Sequence, residues 1–283
     1  MYLKYSVILL ILLKFHNYSG CSSQSDDKPH LSPPGYDMNV PGQMGLPSEL
    51  DNISGICYYP RDTSLFAVVN GDGMLYKISL HRQAPIMRWR FDKNKGYEDI
   101  VMKDSTFYLL AAEGSITTLR FEGDSTLKTE MKLADADKSA NEFKSLYYDD
   151  DYKKLVMLCR KCDGDPKKTV SAWGYSIDSQ RYNSVLFSID TKTIIEKSGD
   201  KMRFQPAGSA INPITNELYL LDPDNKLLVI IDRAGKVKDV FNLNPEIYKQ
   251  PEGIAFTPNG DMIISNGGGG SGKGDILVIK RSK

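Results

Sequence analysis

Apolar residues along this chain come in short runs, joined in pairs by turn residues. Pro251–Ser265 shows the pattern most plainly: P-E-G-I-A-F-T-P-N-G-D-M-I-I-S. An acidic residue and a glycine lead into an apolar strand. Pro258, Asn259 and Gly260 turn the chain, and a second apolar strand follows. Asn-Gly between two apolar runs is a strong short-range hairpin signal. The same cadence appears at Ser54–Val69, Glu98–Leu110, Lys144–Leu158 and Gly208–Leu221. With Gly55, Asp99, Ser145, Ser209 and Gly253 as register, the steps are 44, 46, 64 and 44 residues. A period in the forties with several strands per unit is the signature of a β-propeller.

The expected fold is therefore all-β: a single propeller of four-stranded blades, five in number. Six is the alternative if the long third repeat hides a degenerate blade. No stretch carries a sustained helical stripe, which agrees with this class. In the third unit the expected strands are Ser145–Asp149, Lys154–Cys159 and Val185–Ile189, with an outer strand around Thr193–Phe204. That reading makes Lys161–Asn183 an inserted loop containing Trp173, Tyr175 and Tyr182. The last unit is one strand short. An open apolar edge invites aberrant pairing, so a strand around Tyr36–Val40 is expected to close the ring.

Three domains of the chain follow. Residues 1–20 read as a signal peptide, 21–45 as a flexible tether whose end supplies the closing strand, and 46–283 as the propeller. The apolar run Val7–Leu13 follows Lys4 and is too short to span a bilayer core of about 30 Å, but it suits a secretory segment. Ser19-Gly20-Cys21 resembles a bacterial lipobox, with Tyr18 where leucine is usual. This implies Cys21 as the lipidated first residue, membrane anchoring, and an outer-membrane lipoprotein facing the periplasm or the surface. Ser25-Asp26-Asp27 resembles the acidic export signals of Bacteroidetes-type lipoproteins.

Charge excludes one function class. The full chain carries 36 basic and 36 acidic side chains. Without Lys4 and Lys14 the balance is 34 against 36, or −2. Nucleic acid is not an expected partner, because it needs a basic excess or stripe. A monomer is expected. Cys159 and Cys162 form C-x-x-C. In an exported chain that spacing suits a small disulfide, with free thiols or a redox pair as alternatives.

In a propeller, the starts of inner strands and the ends of second strands share one face. This gathers Glu98, Lys144 and Glu252 with Asn70, Glu113, Arg160, Asp222 and Asn266 at one channel mouth. Carboxylates and amides converging on an axis suit a hard cation such as Ca2+. Lys144 and Arg160 are placed to face an anion. Trp173 and Tyr175 are read as a lid over the same mouth.

The repeats resemble the SdiA-regulated domain family, the YjiK-like propellers of bacterial envelopes. The match rests on Asn52-Ile53-Ser54-Gly55-Ile56, Glu98-Asp99-Ile100, Phe143 to Leu146, and Gln250-Pro251-Glu252-Gly253-Ile254. It covers roughly Leu46 to the C-terminus. The resemblance implies an envelope propeller and makes bound calcium plausible. Of the acidic starts, it extends only to Glu98 and Glu252, since Lys144-Ser145 stands where the family tends to show Glu-Gly. The function read from these features is binding of a small ligand, ion or partner at the channel mouth. A calcium-dependent lactone or phosphoester hydrolase is the alternative, and a scaffold in a surface complex a further one.

Overall fold

The computed structural model describes residues 30–282, save 82–83, 94, 124, 133–140, 200 and 270–271. The expected signal peptide, Cys21 and the acidic Ser25-Asp26-Asp27 lie outside the described residues. After a first strand, β1 (Gly42–Gly45), the chain forms five antiparallel four-stranded sheets. Blade one is β2 (Ile53–Tyr59), β3 (Ser64–Val69), β4 (Met74–Ser79) and β5 (Met87–Arg90). Blade two is β6 (Tyr97–Lys103), β7 (Thr106–Ala111), β8 (Ile116–Glu122) and β9 (Ser125–Met131). Blade three is β10 (Glu142–Asp149), β11 (Lys154–Lys161), β12 (Thr169–Ser176) and β13 (Arg181–Asp190). Helix α1 (Thr191–Ser198) follows it. Blade four is β14 (Ser209–Ile211), β15 (Leu218–Asp222), β16 (Leu227–Ile231) and β17 (Val237–Asn242). Blade five is β18 (Pro251–Phe256), β19 (Met262–Asn266) and β20 (Asp275–Ile279), completed by β1. The protein is a five-bladed β-propeller.

Alternation explains how the blades stack. Successive side chains of a strand point to opposite faces, and each face of a blade here meets a neighbour. In β3, Leu65, Ala67 and Val69 pack with blade five, while Phe66 and Val68 pack with blade two. Strands buried on both faces read as continuous apolar runs, as in Ser64–Val69. Each of the five spaces between blades holds one apolar cluster. Trp89 of β5 packs edge-on against Phe121 of the next blade, as an outer-strand packing residue.

Two features differ from the sequence expectation. The closing strand is β1 rather than Tyr36–Val40, with Gly42 opposite Val278 and Gly45 opposite Asp275. Tyr36 and Met38 are instead buried against blades four and five. The Tyr36 hydroxyl donates to the Gly260 carbonyl at 2.6 Å and accepts from Asn212 Nδ2 at 2.9 Å. The segment from Tyr36 onward is thus part of the folded unit, not of a tether.

The third blade also differs. Its third strand is β12 and its outer strand β13, so the expected insertion Lys161–Asn183 is largely sheet. The surplus of the long repeat lies in the turn between β11 and β12, in α1 and in the segment from Gly199 to Gly208. Asp190 caps α1 by accepting the Lys192 N–H at 2.9 Å, and Gly199 ends it at φ +81°. That is a left-handed conformation suited to glycine.

The inner strands meet so closely that their register positions are small or polar. A Cβ on Gly55 would lie 2.8 Å from the Ile100 nitrogen and collide with Asp99. A Cβ on Gly253 would meet the Ser54 carbonyl at 2.6 Å. Gly55→Ala should destabilise the fold by about 1–3 kcal/mol, as overpacking does. Gly45→Ala, with nothing within 4 Å, should leave the urea midpoint nearly unchanged. Equal midpoints for the two variants would contradict the axial packing.

Candidate functional site

Inner strands begin on one face, here called upper, and end on the lower face. Between them the axis is closed. Asp99 is 4% exposed, and its carboxylate accepts the Ile100 N–H at 2.8 Å and, across blades, the Leu146 N–H at 2.7 Å. Burial pushes its carboxyl well above the usual range, and nearby Glu98 adds to this against those two N–H bonds. The hydroxyls of Ser145 and Ser209 touch. The Ser265 hydroxyl accepts the Gly253 N–H and donates to the Ser54 carbonyl, both at 2.9 Å. These bonds stitch blade two to three, three to four and five to one.

At the upper mouth the structure brings together part of the expected set. Glu98 accepts from Asn70 Nδ2 at 3.1 Å and from the Lys144 ammonium. Glu252 accepts from Gln250 Nε2 at 3.0 Å. Burial raises the Glu252 carboxyl, opposed by Gln250, Lys144 and Arg160 and assisted by Glu98. Arg160 is fully engaged, donating to Gln205 at 3.1 Å, Glu142 at 3.2 Å and Asp224 at 3.1 Å. Lys144, Arg160 and Glu252 border a cavity of about 50 Å³, room for a few waters.

The other expected residues have different work. Asp222, fully buried, accepts four hydrogen bonds, from the Gln205, Asp224 and Asn225 N–H groups and from Asn225 Nδ2 at 2.7 Å. It shapes the turn after β15 and has no oxygen left to offer. Asn266 Nδ2 donates to the Ile247 carbonyl at 2.8 Å and to Asp275 at 3.0 Å. Glu113 pairs with Lys95 at 3.3 Å, and Lys95 also holds Glu130 of the outer strand β9. Glu113 is thus drawn away from the axis. Trp173 and Tyr175 form no lid. Both belong to β12, with Trp173 edge-on to Phe143 at 6.0 Å and Tyr175 only 1% exposed. A strand in the middle of a sheet cannot swing over a mouth.

These positions do not fit a hard cation, which takes six to eight oxygens. The two axial carboxylates have an ammonium on one of them, and Asp222 and Glu113 are engaged elsewhere. The acidic turn Asp149-Asp150-Asp151 contains a fully buried Asp149 paired with Arg233. Cys159 and Cys162 form a disulfide, with Cα atoms 6.0 Å apart. Asp165 lies close to both sulfurs, but in this oxidised state they are not thiolate ligands.

The lower mouth escaped the sequence reading. The ends of all five inner strands surround a cavity of about 540 Å³. Its walls include Ile56, Ile100, Leu146, Ile211 and Ile254. Polar groups line it as well. Lys103 faces Asp150 at 3.5 Å and sits 4.5 Å from the Tyr148 ring centre, while Arg233 holds Asn216 at 2.7 Å. Cys57, the free cysteine among the described residues, also lines it and is 8% exposed. Burial pushes its thiol up, with Asp99 adding to the effect, so it is a poor nucleophile. The signal available in sequence was the apolar residue one or two places after each register position.

A propeller with a closed axis and two unlike mouths is the class the fold defines. The profile of the family described as SdiA-regulated matches residues 29–266. The chain belongs to that family. No curated protein matches it by sequence. Among solved structures it is similar to a glutaminyl cyclase of Myxococcus xanthus, at 15% identity and TM-score 0.54, over 86% of this chain and 98% of that one. A luciferin-regenerating enzyme gives 14% identity and TM-score 0.53, over 85% and 95%. The calcium-binding protein regucalcin from Agrobacterium tumefaciens gives 10% and 0.53, over 81% and 91%. At these identities the likeness shows the fold alone.

The raised Glu252 carboxyl has a pH consequence. Between the ordinary glutamate value of about 4.3 and its raised value, the folded chain holds more protons than the unfolded chain. Stability from this group therefore falls as pH rises through that window. Glu252→Gln keeps a partner for Gln250 and removes the titration. Urea unfolding should show the variant gaining on the wild type as pH rises from 4 towards neutral. A variant that loses ground over the same range would contradict the assignment.

Proposed function

We propose that the chain is a binding propeller of the cell envelope that takes a small molecule with both apolar and polar groups in its lower axial cavity. The observation that carries this reading is the cavity of about 540 Å³ framed by all five inner strands. Ligand sites are commonly about 300–1,000 Å³, with mainly apolar walls and a few placed polar groups. The upper mouth is a poorer candidate, because its charges satisfy one another around a far smaller space. Its ion pairs instead clasp blades two and three together through Glu98 and Lys144.

Catalysis has less support. A nucleophile needs a base within hydrogen-bond reach. His30 and His81 make their recorded hydrogen bonds through backbone atoms, and no Ser–His–Asp set forms among the described residues. A calcium-dependent hydrolase would need a donor ring that Glu98, Glu252, Asp222 and Asn266 do not make as they stand. Envelope anchoring rests on the lipobox-like Ser19-Gly20-Cys21, and a lipidated Cys21 would tether the propeller to a membrane.

The neutral dye N-phenyl-1-naphthylamine is a suitable probe. It should bind one site with saturable fluorescence. Ala210→Phe, a half-buried wall position, should weaken dye binding by about tenfold, near 1.4 kcal/mol, with an unchanged circular dichroism spectrum. Absence of saturable binding, or binding that does not respond to Ala210→Phe, would defeat the proposal.

A further inference from the structure

The surplus residues of the third repeat build a second pocket on the upper face, outside the axis. Its cavity is about 350 Å³. One wall is the end of β11, with Lys161, and the turn that follows it, with Lys167 and Lys168. The facing wall is the segment after α1, which carries Arg203. The floor is apolar, made by Val170, Ile195 and Phe204. Among the described residues, no ion pair reaches any of these four cations. Elsewhere on the protein the reverse is common: Lys77, Lys95, Lys128, Arg233 and Lys280 all hold carboxylates. The chain as a whole is charge-balanced, so four unpaired like charges around one hollow are a local excess. Such charges repel and raise the local concentration of anions.

The lysine-bearing wall is held in place. The Cys159–Cys162 disulfide ties its base to β11. The Asp165 N–H donates to the Cys162 carbonyl at 3.2 Å, and the Asp165 carboxylate accepts the Ser171 N–H at 3.1 Å. Lys168 adopts φ +64°, a conformation a lysine holds only where its surroundings impose it. On the opposite wall, Arg203 Nη2 reaches the Arg160 carbonyl at 3.5 Å, and Phe204 is buried. Arg160 also borders the pocket but is held by Glu142 and Asp224. Asp165 is the one carboxylate lining it, so the four other cations leave an excess of three positive charges there.

We infer that this pocket binds a small organic dianion of the phosphate-monoester kind, its charged head among Lys161, Lys167, Lys168 and Arg203 and its apolar body on the floor. Ammonium and guanidinium groups supply the charge-assisted donors such a head needs. Apolar area removed from water adds affinity for the organic part. The site is separate from the lower axial cavity, and the two stand or fall independently.

Titration calorimetry of the disulfide-intact mature chain with phenyl phosphate and with inorganic phosphate, at low ionic strength, tests this. Phenyl phosphate should bind one site, several-fold tighter than inorganic phosphate, and weaken as salt rises. Lys167→Glu with Lys168→Glu should weaken it by at least about tenfold. Arg61→Glu with Lys236→Glu, an equal charge change on the lower face, should change it less than about twofold. Replacing both Cys159 and Cys162 by serine should also weaken binding, since the lysine wall loses its pin. The inference is overturned by an absence of binding heat, by equal losses in the two charge-reversed proteins, or by phenyl phosphate and phosphate binding alike.

Discussion

The close approach of five inner strands at the axis is the constraint on which the rest depends. Backbones packed this tightly leave room for hydrogen or a short polar side chain at the register positions. That is why Gly55, Asp99, Ser145, Ser209 and Gly253 stand there. Asp99 turns the crowding into a link, since its carboxylate bonds the Leu146 N–H of the next blade. The Ser265 hydroxyl does the same between blades five and one. Unsatisfied buried polar groups are costly, so these bonds fix the rotation of each blade about the axis. Once the axis is fixed, the outer strands pack as apolar layers with a cluster in every inter-blade space.

The same constraint separates the two mouths. Above the closed axis, the starts of three inner strands bring together Glu98, Lys144 and Glu252, with Glu98 paired to Lys144 and Glu252 bonded to Gln250. Below it, the ends of the inner strands surround an open hollow with aliphatic and aromatic residues and with the charged groups of Lys103, Asp150 and Asp151. A closed axis therefore yields a polar clasp on one face and a ligand-sized cavity on the other. The long third repeat adds a pocket that the other blades lack, built from a pinned turn and a short helix.

Most of the fold was legible in sequence because it is periodic. A step of 44 to 46 residues between like positions is enough to count blades. Local features without a period were not. The closing strand Gly42-Gln43-Met44-Gly45 has two glycines and one apolar residue. Its place comes from the bare edge of β20, not from its own side chains. Tyr36 and Met38 alternate like a strand yet bury themselves as a plug. Strand β12, with Ser171, Trp173 and Gly174, reads as a loop until its pairing to β11 and β13 is known. The candidate site was legible in part. Glu98, Lys144 and Glu252 do share a mouth, but sequence spacing cannot show that Asp222 is consumed by its own turn. Nor could it show that the larger hollow lies at the other end of the axis.

The claim that the lower axial cavity is the ligand site can be tested without knowing the ligand. A crystallographic fragment screen of the propeller samples every concave surface at once. Uncharged fragments should collect between Ile56, Ile100, Leu146, Ile211 and Ile254, below the closed axis and beside Cys57. Uncharged fragments that instead settle around Glu98, Lys144 and Glu252, leaving the lower cavity bare, would contradict the claim.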